Sequence, residues 1–169
     1  MGTEKHRKKL RLEGYNYASN GLYFTTIYVK NGECLFGDIV DNKLLLLPAG
    51  EMITSYWQKL SPKYACFNLD DFVVMPNHFH AIILIDTTHQ QPVSLSQGIR
   101  WFKTMTTNAY IQGVRGFNWK PFIDKLWHRS FYDHIIRDEK SYLAIKSYIA
   151  LNPERWIEDK LHPTKFHFD

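Results

Sequence analysis

The first strongly apolar stretch, residues 21–30 (GLYFTTIYVK), mixes β-branched and aromatic residues without proline and predicts a central strand. Asn31-Gly32 is a turn signal. Residues 34–40 and 43–47 follow, with Asp41-Asn42 between them, and predict a short hairpin. Pro48 suits the first turn of a helix, and Ile53, Tyr56, Trp57 and Leu60 give that helix one apolar face; Pro62 is expected to stop it. Residues 68–74 and 78–86 are two apolar strands, predicted antiparallel because only Pro76-Asn77 and its neighbour separate them. From 95 to about 110, Ile99, Phe102, Met105, Thr106 and Ala109 fall on one helical face, with Arg100, Lys103 and Asn108 largely elsewhere. Residues 111–126 contain Gly113, Gly116 and Pro121 and read as a loop. Residues 131–137 predict a fourth core strand. Asp138 can cap a last helix that runs to about Asn152, before Pro153.

Helices thus interleave with strands, yet the two middle strands join by a tight turn. The pattern predicts an α+β fold of the ferredoxin-like (split βαβ) type: an antiparallel sheet with helices on one face, plus a C-terminal helix. The expected organisation is a basic N-terminal arm at 1–20, one domain at 21–156 and a short tail at 157–169.

Composition narrows the class. With 169 residues, 44% hydrophobic and 22% charged, the chain has the make-up of a globular domain rather than a disordered one. Two cysteines, Cys34 and Cys66, make no disulfide framework, which points to the cytoplasm. There is no run of apolar residues long enough for a spanning helix, no apolar stretch behind the basic N-terminus that would read as a secretory signal, no repeat period and no glycine-rich phosphate loop. Lys+Arg exceed Asp+Glu by 21 to 17, a mild hint of an anionic partner. The cations Lys5, Arg7, Lys8, Lys9 and Arg11 make either a solvated tail or a phosphate-contacting arm. Rings at 15% of the chain either fill the core or stack on something flat.

Two short motifs carry chemistry. In His78-Phe79-His80 the alternation of a strand puts both imidazoles on one face and Phe79 on the other. Such a pair can close on one divalent ion; it also fits two hydrogen-bonded histidines on a sheet surface. Tyr148 and Asn152 stand one helical turn apart and project together. That pair also fits an ordinary core rim and helix end. If the last helix packs on the histidine face, two imidazoles, an amide oxygen and a phenol converge. A metal there would leave positions for a phosphate oxygen, and the Tyr148 phenolate could attack phosphorus.

These residues resemble a known family. Met75-Pro76-Asn77-His78-Phe79-His80 is similar to the His-hydrophobic-His motif of the HUH endonucleases, and Tyr148-Ile149-Ala150-Leu151-Asn152-Pro153 resembles the Tyr-Ile-x-x-Asn-Pro signature of the REP-associated tyrosine transposases. Trp127 to Arg137 (WHRSFYDHIIR) is similar to a third block of the same group, and residues 21–30 and 36–40 resemble its opening strand and hairpin. The resemblance spans about residues 15–156. It implies a ferredoxin-like fold with the histidines on a central strand. It implies metal-dependent cleavage and rejoining of single-stranded DNA, transposase-like, with the 5′ phosphate carried on tyrosine and the 3′ hydroxyl left free. His78 and His80 would then hold magnesium or manganese, Asn152 would be the third ligand, and Tyr148 on a catalytic C-terminal helix would be the nucleophile. The DNA would be a hairpin at a repeat beside the cleaved strand. Relatives are monomers or strand-sharing dimers, so both states stay open.

Tyr142 is a rival nucleophile, but six helical residues turn it about 120° from Tyr148, and only Tyr148 aligns with Asn152. Asp133 and His134 are strand neighbours that face opposite ways, and His128 is a candidate at a DNA groove. DNA contacts are expected from Lys5, Arg7, Lys8, Lys9, Arg100, Lys103, Arg115, Lys120 and Arg129, with Trp119 or Trp127 stacking unpaired bases. The competing functions are a domesticated protein that holds DNA hairpins without cutting, and an RNA-binding ferredoxin-like domain, whose sheet-aromatic signature the run from His78 to Ile82 does not match.

Overall fold

The computed structural model describes residues 20–88 and 93–165. The expected arm at 1–20, with Lys5, Arg7, Lys8 and Lys9, lies outside the described residues except for Asn20. The elements are β1 (Gly21–Tyr28), β2 (Gly37–Val40), β3 (Lys43–Leu46), α1 (Pro48–Gln58), α2 (Leu60–Lys63), β4 (Phe67–Val74), β5 (His78–Ile85), α3 (Leu95–Phe117), β6 (Tyr132–Ile136) and α4 (Glu139–Leu151), followed by a 3₁₀ turn at Trp156–Glu158.

Four strands form one antiparallel sheet in the order β4-β5-β1-β6. One crossover runs from β1 to β4 through α1, and the other from β5 to β6 through α3. That is the split βαβ arrangement. β1 sits in the interior of the sheet, as its aromatic and β-branched run requires, with Thr26 opposite His80 and Tyr28 opposite His78. β2 and β3 form a separate two-stranded hairpin. Its tip residues, Asp41 and Asn42, have φ of 50° and 59°, the left-handed pair that a tight twisted hairpin needs.

The two faces of the sheet are covered differently. Odd-numbered residues of β1 and β5 (Tyr23, Ile27, Phe79, Ala81, Ile83) enter the main core with Ile53 and Trp57 of α1 and Ile99, Phe102 and Tyr110 of α3. Even-numbered residues look the other way. There Phe24, Ile82 and Ile136 make a smaller cluster with Ile149 of α4. The crossover helices share one face, and α4 covers the face that carries the histidines.

Four local expectations change. α3 continues past Tyr110 to Phe117, and the loop starts only at Asn118, whose φ of 56° ends the helix. A single glycine in a helix costs only about 1 kcal/mol, and Gly113 is buried against Trp119, so packing outweighs propensity. Pro62 does not stop α1, which has already ended at Gln58; it lies inside the short α2, in a first turn where a missing N–H does no harm. The hairpin opens at Gly37, because the N–H groups of Leu35 and Phe36 instead donate to the carbonyl of Pro76, both at 2.9 Å. β6 is an edge strand with Tyr132 half exposed, not an interior one.

Candidate active site

The site begins with β5. Phe79 anchors that strand against Trp57 and Phe102, at ring distances of 4.8 and 5.5 Å. Alternation then fixes His78 and His80 on the opposite face, both buried, with ring centroids 4.5 Å apart. Each ring is oriented through Nδ1. Asn77 Oδ1 lies 2.9 Å from His78 Nδ1, while Asn77 Nδ2 donates to the carbonyls of Gly32 (2.9 Å) and Leu161 (2.7 Å). The amide oxygen can only accept, so His78 carries its proton on Nδ1 and presents the Nε2 lone pair to the site. Thr26 Oγ1 holds His80 Nδ1 at 2.8 Å, across the β1–β5 pair.

The C-terminal helix brings the other half. Asp138 caps α4 by accepting from the Ser141 N–H at 2.7 Å. One turn apart near the far end, Tyr148 and Asn152 face the histidines. Tyr148 Oη lies 3.2 Å from His80 Nε2, and its ring is 42% exposed. Asn152 is buried; its Nδ2 donates to Asp159 Oδ2 at 3.2 Å, while its Oδ1 has no partner.

Asp159 was not among the residues that the sequence singled out. It follows the 3₁₀ turn, in the stretch expected to be a tail, and its Oδ2 comes 3.7 Å from His78 Nε2. Trp156 is buried beside His78 (5.8 Å) and His162 (4.8 Å), and this packing folds the segment back. Asp159 Oδ1 accepts from the Leu161 N–H at 2.7 Å. No spacing rule marks this carboxylate. The available clue is Trp156, a large ring that needs cover.

His78, His80 and Asp159 each offer one ligand atom, all within 4.8 Å of one another. Both His78 Nε2 and Asn152 Oδ1 are buried without a hydrogen-bond partner. Orphaned buried acceptors of this kind are costly unless something cationic or proton-donating meets them. Two imidazoles, a carboxylate and an amide oxygen form a donor set that can hold a divalent ion.

Burial pushes His78 down to about 4, against the opposing pull of Asp159 and Asn152. Burial, and then the neighbouring His78, holds His80 well below the ordinary histidine value. Both rings are therefore neutral near pH 7, the form that ligates. Burial, reinforced by the charge of Asp159, pushes the Tyr148 phenol up to about 12. Without a nearby cation this phenol stays protonated. A cavity of about 620 Å³ opens beside the site, lined by Phe24, Tyr132, His80, Tyr148, Asn152 and Arg155 among others.

The residues proposed from sequence to touch DNA separate into two groups. Arg100, Arg115, Lys120 and Arg129 are exposed. Lys103 is not a free surface cation: Nζ donates to the carbonyls of His128 (3.0 Å) and Ser130 (2.8 Å) and so ties the loop before β6 to α3. Trp127 is not an exposed stacking ring either. It is buried against Phe36 (5.1 Å), with Nε1 donating to Thr106 Oγ1 at 2.9 Å, because the loop needs an anchor in the core. Trp119 is partly covered and packs on Tyr110 at 5.3 Å, while His128 stacks on Tyr28 at 4.5 Å.

The family model for IS200-like transposases matches residues 42–152, from the hairpin tip through Asn152. This chain belongs to that family. The match contains His78, His80, Tyr148 and Asn152 and stops before Asp159. An uncharacterized protein of Haemophilus influenzae is 38% identical over 168 residues, covering 93% of each chain. Among solved structures, a REP-associated tyrosine transposase bound to a REP hairpin is similar with a TM-score of 0.63 and 22% identity, over 89% of this chain and 77% of that one. A crystal structure of a transposase-like protein from Deinococcus radiodurans R1 gives a TM-score of 0.49 at 15% identity, over 83% and 95%. Membership makes the chain a DNA-processing enzyme of the transposase type, on the fold of the REP-associated enzyme. Among the described residues, no helix is long and apolar enough to cross a membrane.

Proposed function

We propose that this transposase cleaves and rejoins single-stranded or hairpin DNA in a metal-dependent reaction, through a covalent 5′-phosphotyrosine on Tyr148. The observation that carries the reading is the placement of the Tyr148 hydroxyl, 3.2 Å from His80 Nε2, at the mouth of a buried pair of neutral imidazoles. His78, His80 and Asn152 would hold magnesium or manganese, with Asp159 as a further ligand. The ion, when bound, supplies the positive charge that favours the phenolate and stabilises charge building on the phosphate.

The remaining work belongs to the protein. Tyr148 loses its proton to solvent and forms an Oη–phosphorus bond while the bond from phosphorus to the 3′ oxygen breaks; that oxygen takes a proton and leaves as a free hydroxyl. Rejoining runs in reverse: a 3′ hydroxyl attacks the phosphotyrosine, and the phenol is released. Thr26 and Asn77 hold the two imidazoles in register throughout. The exposed cations Arg100, Arg115, Lys120 and Arg129 are the proposed phosphate contacts outside the site.

Incubating the protein with labelled single strand and manganese, then denaturing, tests the reading. The wild type should carry label through denaturation, and Tyr148→Phe should bind DNA yet carry none. Full-yield adduct from Tyr148→Phe would remove Tyr148 as the nucleophile. A non-cutting hairpin-binding protein would instead retain DNA in a native gel and give no adduct in any variant.

A further inference from the structure

α4 meets the sheet along a narrow apolar stripe, where Ile145 and Ile149, with the Tyr142 ring at its edge, pack on Phe24, Ile82 and Ile136. At about 100° per helical residue, Tyr142 and Lys146 fall on one flank of that stripe, and Tyr148 and Asn152 fall on the other. Aliphatic contact is non-directional. A stripe this narrow therefore opposes lifting of the helix more than rolling about its own axis. Directional contacts stand on both flanks: Tyr148 Oη meets His80 Nε2 and Asn152 Nδ2 donates to Asp159, each at 3.2 Å, on the site flank, while charge-assisted bonds to β4 stand on the flank away from it. Tyr142 Oη donates to Asp70 Oδ2 at 2.6 Å. Lys146 Nζ reaches Asp70 Oδ1 and Asp71 Oδ2, each at 3.0 Å.

Their partners are placed by an irregularity in the sheet. The register of β4 against β5 shifts between Leu69 and Phe72, so Asp70 and Asp71 stand at a bulge. Bulges re-aim side chains, and this one turns two carboxylates onto α4. Asp70 Oδ1 also accepts from the Asp71 N–H at 2.7 Å. Burial raises the Asp70 carboxyl, but the bonds from Tyr142 and Lys146 outweigh it and hold it below the usual range. The bond to Asp70 pushes the Tyr142 phenol up.

We infer that Asp70, Tyr142 and Lys146 form a latch that fixes the roll of α4 and thereby aims Tyr148 at the paired imidazoles. The inference rests on the proposed role of Tyr148, and all three are positioning residues. Tyr142, the rival nucleophile of the sequence, is committed to this contact. A misplacement of about 1 Å at a nucleophile can cost about a hundredfold in rate, so rolling that leaves the fold intact still slows cleavage.

Two measurements on the full chain test the latch. Hydrogen exchange of the α4 amides reads helix docking whether or not DNA is cut. Single-turnover adduct formation with manganese and labelled strand reads the aim of Tyr148. In Asp70→Ala, the α4 amides should exchange about tenfold faster while β1 and β5 keep their protection, as for loss of charge-assisted bonds in one element. The adduct rate at saturating DNA should fall about tenfold or more, with the DNA concentration for half-maximal rate within about twofold of wild type. Tyr142→Phe and Lys146→Met should each lose part of this. Asp70→Asn, which still accepts from Tyr142, should recover part of it. Wild-type exchange and rate in Asp70→Ala would overturn the latch, as would a change confined to the half-saturating DNA concentration. If Asp70→Ala does not fold, Tyr142→Phe and Lys146→Met decide the same point from the helix side. If the wild type forms no adduct, the nuclease reading fails, and exchange alone judges the latch.

Discussion

At the scale of single residues, the site depends on where protons and lone pairs sit. Asn77 assigns the His78 proton to Nδ1, and Thr26 orients His80. Asp159 adds a carboxylate near His78 that belongs to no motif of the sequence. Asp159→Ala should therefore weaken manganese binding about tenfold or more, read by calorimetry on folded protein. Affinity equal to wild type would remove Asp159 from the ligand set. The histidines also make a pH prediction for the metal-free protein. Burial lowers folded His78 to about 4, against about 6.5 in an unfolded chain. Between those values the unfolded state binds more protons, so stability rises with pH. The contribution is fully present above about 6.5 and is lost as pH falls toward 4, by roughly 1–3 kcal/mol. Thermal melts from pH 7.5 to 4.5 should show the decline, and His78→Gln should flatten it. The paired histidines were legible because a strand has a period of two. Asp159 was not, because its approach depends on a turn with no periodic signal.

At the scale of elements, local pattern and tertiary packing agree for β1, β4 and β5 and part company in α3, in α1, at the start of the hairpin and in β6. Gly113 reads as a helix breaker, yet it is a contact surface. A Cβ there would come 2.1 Å from the Trp119 ring. Gly113→Ala should therefore destabilise the protein by about 1–3 kcal/mol despite alanine's better helix propensity, because overpacking outweighs it. Urea unfolding measures this; a stabilised variant would mean that Trp119 moves aside freely. Pro62 misleads in the same way, since the chain bends before it. α4 was legible in extent from Asp138 and Pro153. Its docking was not, because its apolar partners lie on distant strands and the carboxylates that meet Tyr142 and Lys146 stand at a β4 bulge that no sequence pattern marks.

At the scale of the molecule, the charge excess becomes a question of which cations are free. Arg129 is exposed within the loop before β6, whereas Lys103 is spent on the two carbonyls that flank it, those of His128 and Ser130. Arg129→Gln should lower DNA affinity and reduce the salt slope by about one, while leaving the melting temperature near wild type. Lys103→Met should do the reverse, costing stability with little change in slope. Filter binding across a salt series separates them; an unchanged slope for Arg129→Gln would remove it from the interface. By itself the sequence determined the order of elements, the ferredoxin-like class, the two facing histidines and the Tyr148–Asn152 face, because each follows from a local period of two or of 3.6. The tertiary structure alone decided that α4 lies on the histidine face, that Trp127 and Lys103 turn inward, and that Asp159 returns to the site. Those choices are made by burial and by hydrogen bonds between residues far apart in the chain, and no local pattern encodes them.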